Sequence, residues 1–227
     1  MKYKNLGLIA ATGVLVLSAQ QSHAVSTTAK LRLSDLTVLG SEITIDDNGA
    51  GDSNPMIGAV AYIGLVGNFN VIISAGATAP VLPGPYPHLD LVSLEAIIGS
   101  GTLAIGFTDI DQTAQQAAMT STVGGTLSGG VTGVTFATYV DSSNAPFGTG
   151  SLINQFSFNT PAFSGSGTTA ISAGQNYSAS VFATITATGA GVASFDLELK
   201  PAPDAGSSAL MLGCGVTGLV AFARRKK

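Results

Sequence analysis

The chain has 227 residues, of which 45% are hydrophobic and only 10% charged, with 29 glycines, 9 prolines, 23 serines and 23 threonines. This surplus of Gly, Ser, Thr and Val, with few Lys and Glu and no Leu-rich periodicity, excludes a helix bundle or coiled coil and leaves helices at best minor. Formal charge is −4 overall, but between Val25 and Lys200 three bases (Lys30, Arg32, Lys200) face twelve acids, a local net of −9 that excludes a phosphate-binding face and hence a nucleic-acid partner.

In chain order, Met1–Ala24 opens with Lys2 and Lys4, runs through an apolar stretch from Leu6 to Leu17 and ends Ser22-His23-Ala24. The apolar stretch is too short for a span of about 20 residues, and the small residues suit signal peptidase, so residues 1–24 read as a secretory signal cleaved after Ala24. Residues 25–200 read as one exported domain.

Its strand signals begin at Lys30–Leu39 and Glu42–Asp46, followed by the most polar segment, Asp46-Asp47-Asn48-Gly49-Ala50-Gly51-Asp52-Ser53-Asn54-Pro55. Calcium takes six to eight hard oxygen ligands on a curled loop, and Asp46, Asn48 and Asp52 are the candidate ligands. The same composition also serves a tight turn with no ion, and Ile57 stands where an EF-hand carries its bidentate glutamate. Ala59–Leu65 and Asn68–Ala75 flank Gly67-Asn68, a hairpin signal. His88, after Pro83-Gly84-Pro85-Tyr86-Pro87, reads as an exposed loop histidine.

Leu89–Ile98 and Thr102–Asp109 are the next strands. Asp109 and Asp111 share one side of a strand end and offer a carboxylate pair for glycoside hydrolysis or further calcium ligands, or two solvated acids. Asp111–Thr122, rich in Gln and Ala, suits a short helix or an ordered loop. Strands follow at Val134–Val140 and Leu152–Phe158, and the plainest period-two signal is Tyr177–Thr188. There Tyr177, Ala179, Val181, Ala183, Ile185 and Ala187 share one face and a hydroxylated row shares the other, with Phe182 the exception. Ala193–Leu199 completes about ten strands, which with turns at short spacings predict an all-β fold, an antiparallel β-sandwich or jelly-roll-like domain.

Past the domain, Pro201-Ala202-Pro203 resists helix and sheet and predicts an exposed, extended segment. Ala205–Ala223 is a 19-residue uncharged run, about 28 Å as a helix and just able to span a membrane, and Arg224-Arg225-Lys226-Lys227 would hold its end in the cytoplasm. The order Ala202-Pro203-Asp204-Ala205-Gly206, apolar helix, basic end resembles the PEP-CTERM class of sorting signals, in its Val-Pro-Asp-Gly-Gly variant, with Pro203, Asp204 and Gly206 matching and Ala202 and Ala205 departing. The resemblance implies a bacterial protein exported by the general secretory route and processed by an exosortase linked with exopolysaccharide production, so residues 201–227 read as a sorting tail.

Absences carry as much as motifs. The only cysteine, Cys214, lies in the apolar run, so no disulfide holds the domain. With His23 removed, His88 is the one histidine, which excludes Cys-His proteases, histidine-based zinc sites and any catalytic triad not built on it. Trp is absent, and the ten phenylalanines fall mostly at core-facing positions, leaving Tyr86 and Tyr139 as candidates for an exposed sugar platform. The sequence therefore predicts a non-enzymatic structural or adhesive protein of the cell surface or exopolysaccharide matrix. The rivals are a calcium-dependent carbohydrate-binding module and, behind it, a glycoside hydrolase. Its partners would be the secretion machinery, an exosortase and exopolysaccharide, with the membrane engaged through the C-terminal helix.

Overall fold

The computed structural model describes residues 28–84, 86–114, 116–172, 174 and 176–202. The expected signal peptide with its cleavage site at Ala24, the motif residues Pro203, Asp204, Ala205 and Gly206, the apolar helix and the basic end all lie outside these residues. Ten antiparallel strands form one hydrogen-bonded sheet, and there is no helix among the described residues. They are β1 (Lys30–Asp35), β2 (Ile43–Asp46), β3 (Ala59–Val66), β4 (Phe69–Ala77), β5 (Leu89–Ile97), β6 (Gly101–Gln112), β7 (Ala118–Asp141), β8 (Ser151–Phe158), β9 (Ala162–Ala170) and β10 (Tyr177–Pro201).

Two long strands organise the rest. β7 follows β10 from Ser178↔Asp141 to Pro201↔Met119, with the ladder broken between Ala187 and Gly191. There the chains pass so closely that a Cβ on Gly130 would stand 2.4 Å from the carbonyl oxygen of Gly189, and Gly129 adopts a φ of 64° open chiefly to glycine. On its free side β10 pairs first with β6 (Tyr177 to Ala187) and then with β5 (Gly191 to Leu199). β7 pairs likewise with β9 through its first half and β8 through its second. Two rows result, β2-β1-β6-β10-β7-β8 and β3-β4-β5-β10-β7-β9, sharing their two central strands.

The rows face each other across the core. A Cβ on Gly76 of β4 would fall 2.1 Å from the Phe107 ring of β6, and one on Gly165 of β9 would fall 3.0 Å from the Phe156 ring of β8. Between them lie Leu31, Leu33, Phe69, Leu91, Ile105, Phe107, Phe136, Val181 and Leu197, all buried. The period-two face of Tyr177–Ala187 is buried as expected, and Ser178 and Ser180 on the opposite face are buried as well.

Several boundaries differ from the sequence reading. Tyr177–Thr188 and Ala193–Leu199 are one strand, bent at its glycines, and Ala162–Ala170 is a strand that the sequence did not announce. Of the short helix or ordered loop read in Asp111–Thr122, the helix does not form: β6 runs to Gln112 and β7 starts at Ala118, leaving only a short connection between them, because pairing with β10 and β9 outweighs the local preference of Ala and Gln. Pro201 is not part of an exposed linker but the buried end of β10 opposite Met119, and Ala202 donates its N–H to the carbonyl of Ala118. A last strand residue needs no further ladder donor, so proline is tolerated there. The Gly67-Asn68 hairpin forms as read, joining Val66 to Phe69.

Buried acids tie the layers together. Asp35, at the end of β1, accepts the N–H of Asn68 in the β3–β4 turn at 2.9 Å as well as the N–H and hydroxyl of Thr37. Burial raises its proton affinity, but these bonds outweigh it and hold the carboxyl below its ordinary range. Asp109 of β6 accepts the hydroxyls of Thr28 at 2.7 Å and Thr78 at 2.8 Å and the side-chain amide of Gln112 at 2.8 Å. Glu95 has a different surrounding: it points inward on the buried face of β5 with Leu91 and Ile97, accepts hydrogen bonds from Ser74 and Ser93 on Oε1, and has no partner on Oε2 among the described residues.

Burial pushes the Glu95 carboxyl up to about 7, against the opposing bonds from Ser93 and Ser74. Its ordinary value is 4.5, so between these two limits the folded chain holds a proton that the unfolded chain has lost, and stability declines as pH rises. Replacing Glu95 by Gln removes this dependence. Denaturant titrations of wild type and Glu95→Gln from pH 4 to pH 8 should diverge by roughly 3 kcal/mol in favour of the variant. Parallel curves would show that Glu95 does not titrate with unfolding.

Candidate functional site

Outward-facing acids converge on the outer surface of the β5–β10–β7 layer. In Phe195–Leu199 the apolar residues point inward, which sends Asp196 and Glu198 outward. The register then places Asp90 of β5 directly across from Glu198, and Thr122 and Gly124 of β7 across from Glu198 and Asp196. A groove of about 410 Å³ opens here, lined by Asp90, Thr122, Val123, Gly124, Asp196 and Glu198.

Glu198 is the most firmly held of these groups. It accepts Nζ of Lys200 at 2.7 Å and the Thr122 hydroxyl at 3.2 Å, and its Oε1 lies 2.8 Å from Nε2 of His88. Burial alone would raise its proton affinity, but the bonds from Lys200 and His88, the Lys200 charge and the Thr122 hydroxyl outweigh it, so Glu198 is ionised. The His88 ring is oriented from behind: Nδ1 lies 3.0 Å from the Pro83 carbonyl, which can only accept, so Nδ1 carries a hydrogen. His88 is therefore not an exposed loop residue. The proline-rich turn delivers it to β10, where Glu198 holds it and its side chain is only 14% exposed.

Asp90 has the opposite character. Burial, the negative charge of Asp196, a hydrogen bond with that carboxyl and the charge of Glu198 push it up to about 7, with only His88 opposing. Its Oδ1 is buried without a partner among the described residues. Asp90 thus keeps its proton into the neutral range, beside a Glu198 that its donors hold ionised. The groove is built to accept hydrogen bonds from hydroxyl groups, over a floor that Gly124 leaves unobstructed.

The residues singled out in the sequence lie elsewhere. Asp46 pairs with Lys30 at 2.6 Å. The Asp52 carboxylate accepts the backbone N–H groups of Asn48, Asn54 and Ala61 at 2.9 Å each, and the Asn48 amide donates to Asp47, which also accepts the Gly58 N–H. Asn48 and Asp52 are brought together and Asp46 is turned away. Among the described residues no group of three or more His, Cys, Asp or Glu side chains is arranged to hold a metal ion. Asp109 is sequestered in the interior while Asp111 is exposed and accepts the Asn144 amide at 2.6 Å, so the two do not share a cleft. Tyr86 donates its hydroxyl to the Leu82 carbonyl, and Tyr139 stands half-buried beside Phe182.

No family model and no curated protein matches the chain. Among solved structures, it is similar to TmCBM61 in complex with β-1,4-galactotriose, at 8% identity and a TM-score of 0.38, covering 67% of this chain and 92% of that one. It is also similar to the epithelial adhesin 6 A domain from Candida glabrata in complex with Galβ1-3GlcNAc, at 10% identity and a TM-score of 0.34, covering 82% and 84%. A third is the CBM36-1 domain of a multidomain xylanase from the hindgut metagenome of Trinervitermes trinervoides, at 13% identity and a TM-score of 0.30, covering 54% and 90%. The ligands in these structures are properties of those proteins.

Carbon-13 NMR of the carboxyl groups checks the electrostatics of the groove directly. Asp90 should titrate with a midpoint near 7, and Asp196→Asn should shift that midpoint downward by removing the adjacent negative charge. An Asp90 midpoint in the ordinary aspartate range in the wild type would show that burial and the neighbouring carboxylates do not raise it.

Proposed function

We propose that this chain is a non-enzymatic, exported bacterial surface or matrix protein whose jelly-roll-like domain holds polysaccharide in the Asp196–Glu198 groove. The observation that carries the reading is the fixation of Glu198 by Lys200, His88 and Thr122. A carboxylate locked in one orientation and kept ionised is a preorganised acceptor for paired sugar hydroxyls, and no side-chain ordering is needed when the sugar arrives. Asp196 extends the acceptor row along the strand.

Delivery follows from the two ends of the sequence. The signal peptide directs export with cleavage after Ala24, and the Ala202–Gly206 motif with its apolar run and basic end makes the chain an exosortase substrate. β10 ends at Pro201, so an enzyme at the membrane surface would meet the chain where the sheet stops.

Isothermal titration against a panel of purified polysaccharides tests the groove. Wild type should bind at least one, and Asp196→Asn combined with Glu198→Gln should weaken it by about tenfold or more, since a hydrogen bond to a charged group contributes about 1.5–3 kcal/mol. Absence of heat with every polysaccharide would reject the groove as a sugar site. Intact mass of the protein recovered from fractionated cells tests the delivery: a chain beginning at Val25 and ending between Pro201 and Gly206 is expected, and a full-length chain in the cytosol would refute export.

A further inference from the structure

The opposite outer surface, on the β1–β6–β10–β7 layer, carries a second constellation. Phe182 departs from the hydroxylated row of β10, and the cross-strand register sets it in line with Gly106 of β6 and Arg32 of β1. Gly106 makes the line possible: a Cβ there would stand 2.8 Å from the Phe182 ring and 3.3 Å from that of Phe147, so only a bare backbone lets both rings lie against β6. Phe147 reaches this place from the β7–β8 connection at a φ of 56°, a left-handed conformation that a bulky residue adopts only under constraint. Tyr139 meets Phe182 edge-on with 5.8 Å between ring centres, and the Phe147 and Phe182 centres are 6.5 Å apart. All of these side chains are half-buried, presenting part of each ring to solvent.

Arg32 completes the cluster. Its guanidinium lies over the Phe147 ring, 4.3 Å from the centre. Lys30 pairs with Asp46 and Lys200 with Glu198, but Arg32 has no carboxylate partner among the described residues. In a domain with twelve acids and three bases an unpaired arginine is the exception. Stacking on the ring occupies the flat face of the guanidinium and leaves its N–H edge free, the edge that takes a carboxylate in bidentate fashion.

We propose that this face binds uronate-bearing sugar rings, the carboxylate on Arg32 and the apolar face of the ring on Phe182 and Tyr139. A pyranose matches the cluster because it offers a flat C–H face for the aromatic rings and a carboxylate at its rim, while the Thr184 hydroxyl, next along the β10 face, meets its hydroxyl edge. An acidic peptide would supply the anion but no flat C–H face. The net charge of −9 repels polyanions that lack a specific contact, so background association is low. This site lies on the other layer from the Glu198 groove and does not depend on it.

Affinity electrophoresis and titration with polygalacturonate, dextran and polyglutamate test the assignment. Polygalacturonate should bind at least tenfold more tightly than either of the others. Arg32→Gln should lose that advantage and Arg32→Lys should lose most of it, because an ammonium lacks the fork, while affinity for any neutral polysaccharide taken by the groove stays at the wild-type value. Equal binding of polyglutamate, no binding of polygalacturonate by the wild type, or unchanged binding in a folded Arg32→Gln protein would each overturn the proposal. The unaltered protein gives a readout free of variants: Arg32 is the only arginine between residues 28 and 202, and its Nε–H resonance should move on titration with galacturonate oligomers. A stationary resonance overturns the assignment.

Discussion

The passage of β7 and β10 through both layers is the constraint on which this structure depends. A two-layer β protein without disulfides needs something besides side-chain packing to keep its layers in register, and here the backbone hydrogen bonds of two strands do so. The bend costs residues with side chains: close backbone contact at Gly129, Gly130 and Gly191 admits no Cβ. Both proposed sites follow from it, because the two halves of β10 present Phe182 on one outer surface and Asp196 and Glu198 on the other. One strand supplies both faces.

The acids of this domain show how far environment decides chemistry. Asp35 and Asp109 lie near strand ends where neighbouring donors converge, and they fasten one layer to the other. Asp52 accepts three backbone N–H groups, including that of Ala61, and so covers part of the free edge of β3 that would otherwise invite another strand. Glu95 sits in the core with two serines and holds a proton into the neutral range. Glu198, 24% exposed and surrounded by donors, stays charged. Counting carboxylates in the sequence therefore says little; donor geometry assigns the roles.

The β class, the strands from β1 to β6, the Gly67-Asn68 turn and the buried stripe of β10 are legible in the sequence because each depends on local alternation or local turn chemistry. β9 is not: Ala-Phe-Ser-Gly-Ser-Gly-Thr-Thr-Ala has one large apolar residue, and its glycines are needed because Gly165 and Gly167 lie under Phe156 and Asn154 of the facing layer, a fact of tertiary packing. The groove was equally hidden. Outward placement of Asp196 and Glu198 can be read from the apolar residues between them, but their meeting with Asp90 and His88 is a matter of strand order and register. The Asp46–Asp52 segment was conspicuous in composition, and the structure shows its polar groups serving the turn and the neighbouring strand.

The central position of β10 has a mechanical consequence. The strand is hydrogen-bonded on both sides along nearly its whole length and ends at Pro201. A pull on the chain beyond that residue would load two ladders lengthwise, so that many bonds share the tension at once, whereas an edge strand would unzip one bond at a time. Held by that end against flow, the domain would resist tearing through the very strand that exposes both its outer surfaces.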